Sequence, residues 1–250
     1  MKLENVIVER PYKKVYRCEE GIAKVFESSH PKENVFNEAL NQARVEATGL
    51  NVPKVKSVGQ IDGKWTLIVE YKTGKTLEEL MKEHPEKLDE YMEQFVDLQL
   101  EVHSKTAPLL NKLKDKLSRQ INSLKNVVDA TTRYELLTRL DSMPNHHKVC
   151  HGDFNPSNII IGDDGKVYIV DWAHATQGNA SADAAMTYLM FALRNQELAD
   201  KYLKLFCKKS DTARQYVQQW LPIVAAAQLI KDDSMEKEFL MKWIDILDYQ

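Results

Sequence analysis

The segment at residues 150–175, CHGDFNPSNIIIGDDGKVYIVDWAHA, places charged and amide side chains directly before and after two short apolar runs. The runs III and VYIV flank the sequence GDDG, which predicts a β-hairpin. Since a hairpin brings its two ends together, we expect Asp153, Asn158 and Asp171 to converge. Three oxygen ligands of this kind suit a hard cation such as Mg²⁺ that is bound together with a substrate phosphate.

Turn formation offers an alternative explanation for part of this segment. Asn, Asp, Pro and Gly are the usual turn residues, and they account for the hairpin loop itself. Polar groups that lie beside apolar strands lose hydration at a cost unless they share a role, so turn formation does not explain the residues outside the loop. These residues are His151, Asp153, Asn158 and Asp171.

The chain changes character near residue 72. Up to that point, β-branched and aromatic residues alternate with polar ones, and hairpin turns are predicted at Glu19-Glu20-Gly21 and at Asp62-Gly63. A helix is expected between these hairpins, from about 31 to 48.

After Gly74 apolar residues recur every three or four positions, which predicts helices over 85–104 and 109–128. We therefore predict a strand-rich lobe at residues 1–72 and a larger helical lobe at residues 73–250. The cleft between two such lobes is the expected ligand site.

Composition excludes several classes of protein. The 250 residues carry a formal net charge of −3, whereas nucleic-acid binders are normally basic. Three distant cysteines predict no disulfide framework and favour a reducing, cytoplasmic location. The N-terminal residues contain no apolar signal region, and the longest apolar run, LPIVAAAQLI, is too short to cross a bilayer. We therefore expect neither a nucleic-acid partner nor a membrane partner.

The polar segment resembles a known catalytic loop. HGDFNPSN has the form H-x-D-x-x-x-x-N, and IVDWA supplies an aspartate 18 positions after Asp153. This pattern resembles the protein-kinase-like superfamily, and its H-G-D form is similar to that of the aminoglycoside phosphotransferase and choline kinase family of small-molecule kinases. IAKVF and FNEAL resemble the phosphate-binding lysine and its partner glutamate, and TLIVEYKTGKTL resembles the hinge.

The resemblance implies an α+β fold of the two-lobed protein-kinase-like type, with a small N-terminal antiparallel sheet lobe that contains one helix and a larger, mainly helical C-terminal lobe. It implies transfer of the γ-phosphoryl group of Mg-ATP to a hydroxyl of a small molecule, such as an aminoglycoside, an amino alcohol like choline or a sugar-like metabolite. By the same resemblance, Asp153 accepts the hydroxyl proton, and Asn158 and Asp171 bind Mg²⁺. The remaining implied residues are Lys24 on the phosphates, Glu38 as its partner, Glu70, Tyr71 and Lys72 at the adenine, and His151 and Asp183 in support.

The sequence departs from this pattern where a phosphate-covering loop is expected. VERPYKKVY contains no glycine, so backbone amides approach the phosphates less readily. Lys13 and Lys14 could compensate, or they could be exposed hairpin charges. The choice between ATP and GTP stays open, and a non-catalytic nucleotide-binding pseudokinase or scaffold is the alternative function.

Two further assignments have competing interpretations. Asp183 either caps the following helix or braces the catalytic loop. Residues 231–250 contain six acidic residues against three lysines, which suggests a cationic acceptor held by Asp245 or Asp248 beside Trp243. The alternative is a solvated helix face with Trp243 in the core. The acceptor's identity and the oligomeric state are not determined by the sequence.

Overall fold

The computed structural model describes residues 3–230 and 234–244. Long strands occur early in the chain, where β-branched and aromatic residues alternate with polar ones, and shorter strands follow around the catalytic-loop motif. The strands are β1 (Leu3–Arg10), β2 (Lys13–Cys18), β3 (Gly21–Phe26), β4 (Val55–Ile61), β5 (Lys64–Val69), β6 (Gly74–Thr76), β7 (Lys148–Cys150), β8 (Ile159–Gly162), β9 (Val167–Ile169) and β10 (Thr176–Gly178).

Helices make up most of the chain after the fifth strand. Within the described ranges, three short 3₁₀ turns connect longer elements, at Pro85–Lys87, Pro156–Asn158 and Trp172–His174. The α-helices are α1 (Lys32–Glu46), α2 (Leu77–Glu83), α3 (Leu88–Ser104), α4 (Leu113–Ser123), α5 (Ala130–Ser142), α6 (Ala180–Arg194), α7 (Gln196–Ser210), α8 (Arg214–Gln218), α9 (Leu221–Gln228) and α10 (Ser234–Met241).

The described chain forms two compact units. The first contains the chain up to Pro85 together with 156–175, and the second contains 86–155 together with the chain from Thr176 onwards. These boundaries differ from the division after residue 72, because β6 pairs with β8 and thereby joins the residues after the fifth strand to the 156–175 hairpin.

The first unit is built on a five-stranded antiparallel sheet with the order β1-β2-β3-β5-β4. Helix α1 packs on one face, where Phe26, Val35 and Leu67 form a buried cluster. Cys18 and Ile68 belong to a second buried cluster, whose residues alternate along the strands with those of the first cluster. This alternation confirms the predicted strands.

Two hairpin turns of the sheet, between β2 and β3 and between β4 and β5, lie where the sequence predicts them. Cys18 pairs with Gly21 across the first turn. In the second turn, Asp62 and Gly63 both have positive φ, of 49° and 77°. Two successive positive φ angles are what the favoured two-residue hairpin turn requires, and Asp-Gly is a preferred pair for it.

A second sheet in the first unit positions the polar segment. Its order is β6-β8-β9, and β8 and β9 form the predicted hairpin. Gly74 has φ 142°, and a Cβ there would lie 2.1 Å from the carbonyl oxygen of Ile161, so only glycine fits. The Val170 N–H donates to the carbonyl oxygen of Asn158 at 2.9 Å. The hairpin therefore holds the residues just before β8 next to those just after β9.

The second unit is helical around an aromatic core. Phe95 lies 4.8 Å from Phe154, 5.5 Å from Phe191 and 5.9 Å from Tyr202, measured between ring centroids. These four side chains come from α3, the catalytic-loop motif, α6 and α7. The loop is thus attached to the core by Phe154, which is buried.

One predicted helix is shorter than expected. The apolar spacing predicted a helix over 109–128, whereas α4 spans Leu113–Ser123. At its start, the Gln177 N–H donates to the carbonyl oxygen of Asn111, so this stretch lies against β10 instead. At its end, Leu124 begins a turn whose apolar residues continue the same spacing and are also buried.

Across 3–230 and 234–244, no helix is both long enough and apolar enough to cross a membrane.

Candidate functional site

Lys24 and Glu38 form the predicted ion pair in the first unit. Lys24 lies in β3 between Ile22 and Phe26, so its side chain shares their face of the sheet, on which α1 packs. Glu38 lies on α1, and its Oε1 is 2.5 Å from the Lys24 Nζ. Both side chains are buried, so neither charge is screened by bulk water.

Asp171 joins this pair. The Lys24 Nζ donates to Asp171 Oδ1 at 3.0 Å. The backbone of Asp171 is left-handed, with φ 63° and ψ 60°. Among residues with a side chain, aspartate and asparagine tolerate this conformation best. The Asn41 Nδ2 donates to the carbonyl oxygen of Ala173 at 3.2 Å, which fastens the segment after Asp171 to α1.

The two carboxylates keep Lys24 charged. Burial by itself lowers the pKa of a lysine, but the neighbouring Asp171 and Glu38 outweigh it, so the pKa of Lys24 is raised above its ordinary value. The side chain therefore presents a permanent positive charge at neutral pH.

Lys13 is a fourth member of this group of charges. Its Nζ lies 3.6 Å from Asp171 Oδ1 and 3.9 Å from Glu38 Oε2, and the residue is buried. We call Lys13, Lys24, Glu38 and Asp171 the ionic cluster. Sequence analysis left the role of Lys13 open. Lys13 pairs with Phe26 in the β2–β3 hairpin, and this pairing is the signal that could have placed Lys13 on the face of the sheet that α1 covers.

Lys14 is different from its neighbour. Its side chain is 37% exposed, and its Nζ is 2.7 Å from Glu9 Oε1 on β1. Of the two lysines left open by the sequence, Lys14 is therefore the surface hairpin charge. The loop expected between β1 and β2 is only a two-residue turn, because Arg10 pairs with Lys13.

The candidate metal ligands Asn158 and Asp171 both belong to the first unit, and the β8–β9 hairpin brings their backbones together. Among the residues of known position, no three His, Cys, Asp or Glu side chains come together as a metal-binding group. One carboxylate and one amide oxygen fit Mg²⁺, which usually takes one or two carboxylates and fills its other positions with phosphate oxygens and water.

The predicted adenine-binding residues follow β5. The Lys72 Nζ lies 2.7 Å from Glu70 Oε1 and 4.5 Å from the ring centroid of Tyr168. The Lys72 hydrogen bond and the Lys54 backbone N–H hold the pKa of Glu70 below its ordinary value. Tyr71 stacks under the guanidinium of Arg17 at 4.7 Å. These contacts order the side chains of the segment.

The catalytic-loop motif in the second unit is stabilised by hydrogen bonds between its own residues. The Asp153 N–H donates to His151 Nδ1 at 3.2 Å, and the Asn155 Nδ2 donates to the carbonyl oxygen of Asp153 at 3.0 Å. Gly152 has φ 78°, which glycine adopts without strain. His151 is fully buried and Asp153 is half-buried, so the histidine faces the core.

The expectation that Asp183 caps the following helix is wrong. Helix α6 begins at Ala180, and the capping side chain is that of Asn179, which accepts from the Ser181 N–H at 2.9 Å. Asp183 lies in the first turn of α6 and accepts instead from the N–H groups of His151 at 3.2 Å and Gly152 at 2.7 Å. It therefore braces the catalytic loop, which was the other interpretation.

A network that sequence analysis missed completes this support. The His103 Nε2 lies 2.9 Å from Asp183 Oδ2, with both side chains buried. Burial raises the pKa of Asp183, but the hydrogen bond from His103 and that from Gly152 outweigh it, so the pKa is lowered overall. The available signal was His103 itself, a polar residue within the apolar stripe of α3.

A second missed network holds Phe154. The Thr187 hydroxyl donates to the carbonyl oxygen of Phe154 at 3.0 Å and accepts from the Gln99 Nε2 at 3.1 Å. The Tyr202 hydroxyl donates to Gln99 Oε1 at 2.6 Å. Buried polar groups that satisfy one another in this way fix a single arrangement.

The candidate acceptor residues are only partly described. Asp245 and Asp248 lie outside the described residues. Trp243 packs edge-on against Tyr188 of α6 at 5.8 Å and against Phe239 at 6.2 Å. These contacts favour a packing role for Trp243.

Comparison with known proteins gives one family and a set of similar structures. The sequence model of the phosphotransferase enzyme family (APH) matches residues 13–219. A comparison with curated protein sequences finds no match.

Three solved structures illustrate the similarity. A thermostable mutant of the aminoglycoside phosphotransferase APH(4)-Ia, in ternary complex with ADP and hygromycin B, aligns with TM-score 0.69 and 12% identity over 98% of this chain and 92% of that one. An aminoglycoside-3'-phosphotransferase of type VIII gives 0.65 and 16% over 97% and 93%. The choline kinase LicA from Streptococcus pneumoniae gives 0.62 and 14% over 98% and 93%. These likenesses confirm the protein-kinase-like fold.

Proposed function

The chain belongs to the phosphotransferase enzyme family and is a small-molecule kinase, and we propose that it transfers the γ-phosphoryl group of ATP to a hydroxyl group of its acceptor. The observation that carries this proposal is the ionic cluster, in which Lys24 is paired with both Glu38 and Asp171. Phosphoryl transfer depends mainly on positioning and charge neutralisation, and a buried, permanently charged lysine supplies both.

The nucleotide is held by the first unit. Lys24 binds the α- and β-phosphates, and Glu38 fixes the direction of its ammonium group. The backbone of Glu70, Tyr71 and Lys72 meets the base. We favour adenine over guanine as the base because a similar structure contains ADP. GTP is the nucleotide whose binding should be compared with that of ATP.

Asn158 and Asp171 would hold Mg²⁺ through one amide oxygen and one carboxylate. When bound, the ion supplies positive charge that offsets the developing charge on the terminal phosphates. The left-handed backbone of Asp171 and the Asn41 bond to Ala173 keep that carboxylate in place before the nucleotide arrives.

Asp153 is the proposed general base. The acceptor oxygen attacks the γ-phosphorus and forms the new O–P bond while the bond from phosphorus to the β,γ-bridging oxygen breaks, so that ADP leaves with that electron pair. The acceptor's hydroxyl proton passes to the Asp153 carboxylate. Asp183 and His151 are positioning residues, because they hold the backbone of the loop that carries Asp153.

The acceptor is proposed to be a small hydroxylated molecule. The similar proteins are named for aminoglycosides and choline, which carry positive charge at neutral pH. This supports a cationic acceptor, for which Asp245 and Asp248 are the proposed carboxylates. Trp243 is assigned to packing against Tyr188 and not to the acceptor.

The two-residue turn between β1 and β2 favours a second candidate, a non-catalytic nucleotide-binding protein or scaffold, because no loop there can cover the phosphates. Retention of the complete ionic cluster favours the enzyme. The two functions differ in whether any acceptor is phosphorylated.

The proposed function is tested with the wild type, Asp153→Asn and the control Asp163→Asn, which makes the same chemical change at an exposed turn position. Thermal stabilisation by Mg-ATP should be equal in all three. Phosphoryl transfer to the best acceptor from a panel of aminoglycosides, amino alcohols and sugars should fall by about 10²-fold or more in Asp153→Asn only. Wild-type transfer by Asp153→Asn would refute the assignment of the base, and nucleotide binding without transfer to any acceptor would favour the scaffold.

A further inference from the structure

Lys13 is a buried lysine at a position where strand pairing alone does not call for a charged side chain. It is the first residue of β2, and its side chain is 9% exposed. Lysine is almost never buried unless it is paired. Lys14, the next residue, shows that the hairpin can place a lysine on the surface.

The register of the sheet determines which face Lys13 occupies. Lys13 pairs with Phe26, and Val15 pairs with Lys24. Directly opposed residues in an antiparallel pair share a face, so Lys13 lies on the same face as Phe26 and Lys24. Its Nζ is 6.0 Å from the ring centroids of both Tyr12 and Phe26, which shield it from solvent.

Two ammonium groups meet at one carboxylate oxygen. Asp171 Oδ1 is 3.0 Å from the Lys24 Nζ and 3.6 Å from the Lys13 Nζ. The shorter distance is that of a hydrogen bond, whereas the longer distance and the 3.9 Å to Glu38 exceed it. Lys24 therefore makes a hydrogen bond to each carboxylate, whereas Lys13 lies at ion-pair distance from both.

The ionic cluster contains two ammonium groups and two carboxylates, so its formal charges balance while Asp171 is shared between both lysines. Binding of Mg²⁺ at Asp171 would weaken the attraction of that carboxylate for Lys13, and a further anion would restore the balance. A polyphosphate chain has the charge and the acceptor oxygens for this. The two-residue turn before Lys13 lacks the glycine amides that would otherwise contact phosphates.

We propose that Lys13 is a second phosphate-binding lysine, which replaces the missing loop amides by contacting the β- and γ-phosphates of the bound nucleotide. The inference rests on the proposed function, since it concerns the same nucleotide. Lys24 and Lys13 then divide the phosphate chain, with Lys13 at its terminal end beside Asp171.

The test compares the affinities of adenosine, AMP, ADP and ATP by calorimetry in the wild type and in four variants, with the stability of each ligand-free protein measured in parallel. Lys13→Gln and Lys13→Met remove the charge, Lys13→Arg keeps it, and Lys14→Gln is the control. The Met variant fills similar space without a polar group, and the parallel stability measurements separate a loss of nucleotide affinity from a loss of folding.

We expect Lys13→Gln and Lys13→Met to weaken ADP and ATP binding by about 10-fold or more, as for loss of a charge-assisted hydrogen bond. Adenosine and AMP should bind as to wild type, and Lys13→Arg and Lys14→Gln should retain the preference for ATP. An unchanged ratio of ATP to adenosine affinity in Lys13→Met would overturn the inference and leave Lys13 as a structural ion pair. Failure of the wild type to bind any nucleotide would instead overturn the proposed function.

Discussion

Replacing Asp183 by asparagine should destabilise the second unit more than any comparable change on its surface. Asp183 is 1% exposed, and its two oxygens accept from the N–H groups of His151 and Gly152 and from the His103 imidazole. An asparagine of the same size keeps only one acceptor oxygen and turns an NH₂ group toward the remaining donor.

The magnitude follows from these three contacts. The distances of 2.7 and 2.9 Å are those of charge-assisted hydrogen bonds, and the bond from the His151 N–H is longer, at 3.2 Å. His103 and His151 both donate to Oδ2, and Gly152 donates to Oδ1, so an asparagine oxygen in the Oδ2 position leaves one donor, the Gly152 N–H, facing an NH₂ group. A buried donor left without an acceptor costs about 1–3 kcal/mol, so we expect a loss of about 1–3 kcal/mol in the free energy of unfolding. A typical protein is stabilised by roughly 5–15 kcal/mol, so a loss of this size is measurable.

The loss is measured by urea unfolding and by hydrogen exchange of the amides of His151 and Gly152. Asp97→Asn is the matched control, because Asp97 lies exposed on α3 and pairs with Lys209 at the surface. Surface pairs of this kind contribute little, so the control should unfold close to the wild type. Exchange of the two loop amides should accelerate in Asp183→Asn alone.

The pH dependence gives an independent check. Because the pKa of Asp183 is lowered in the folded protein, its contribution is complete above the unfolded value of about 4 and is lost as the pH falls through the lower folded value. The stability gap between wild type and Asp183→Asn should therefore be constant from pH 6 to 8 and close below pH 4. Equal unfolding midpoints at pH 7, with unchanged amide exchange, would refute the bracing role of Asp183.

The remaining predictions concern ligand binding. Asp171→Ala should abolish the Mg²⁺ dependence of thermal stabilisation by ATP, with Asp163→Ala as control, and an unchanged Mg²⁺ effect would remove Asp171 from the metal site. Lys24→Ala should weaken ATP binding both with and without Mg²⁺, and wild-type affinity would contradict its phosphate role. If the acceptor is cationic, its Michaelis constant should rise with ionic strength and in Asp245→Asn or Asp248→Asn, while that for ATP is unchanged; a neutral best acceptor would exclude this idea.

Sequence reasoning succeeded where the relevant physics is local. The turn at Asp62-Gly63 follows from the positive φ that the hairpin needs, and the β8–β9 hairpin follows from two apolar runs around GDDG. The pairing of Lys24 with Glu38 was inferred from resemblance, and the structure brings the two side chains into contact.

Local sequence patterns gave wrong predictions where several residues fitted the same structural preference. Asn179, Ser181 and Asp183 are all residue types that cap helices, so the sequence does not decide which one caps α6. The choice depends on the His151 and Gly152 N–H groups, which need an acceptor and lie more than 30 positions earlier in the chain. The length of the helix predicted over 109–128 was wrong for a similar reason, because the helical spacing of apolar residues continues through the turns at both ends of α4.

The sequence by itself determined the five strands and the helix of the first 72 residues, the β8–β9 hairpin, the catalytic-loop motif and the family, since these depend on neighbouring residues and fixed spacings. Only the tertiary structure decided that Lys13 is buried while Lys14 is exposed. Alternation along β2 places the two lysines on opposite faces of the sheet, but it does not reveal which face α1 covers. That depends on packing between residues far apart in the chain, which brings Lys13, Glu38 and Asp171 together from a strand, a helix and a hairpin.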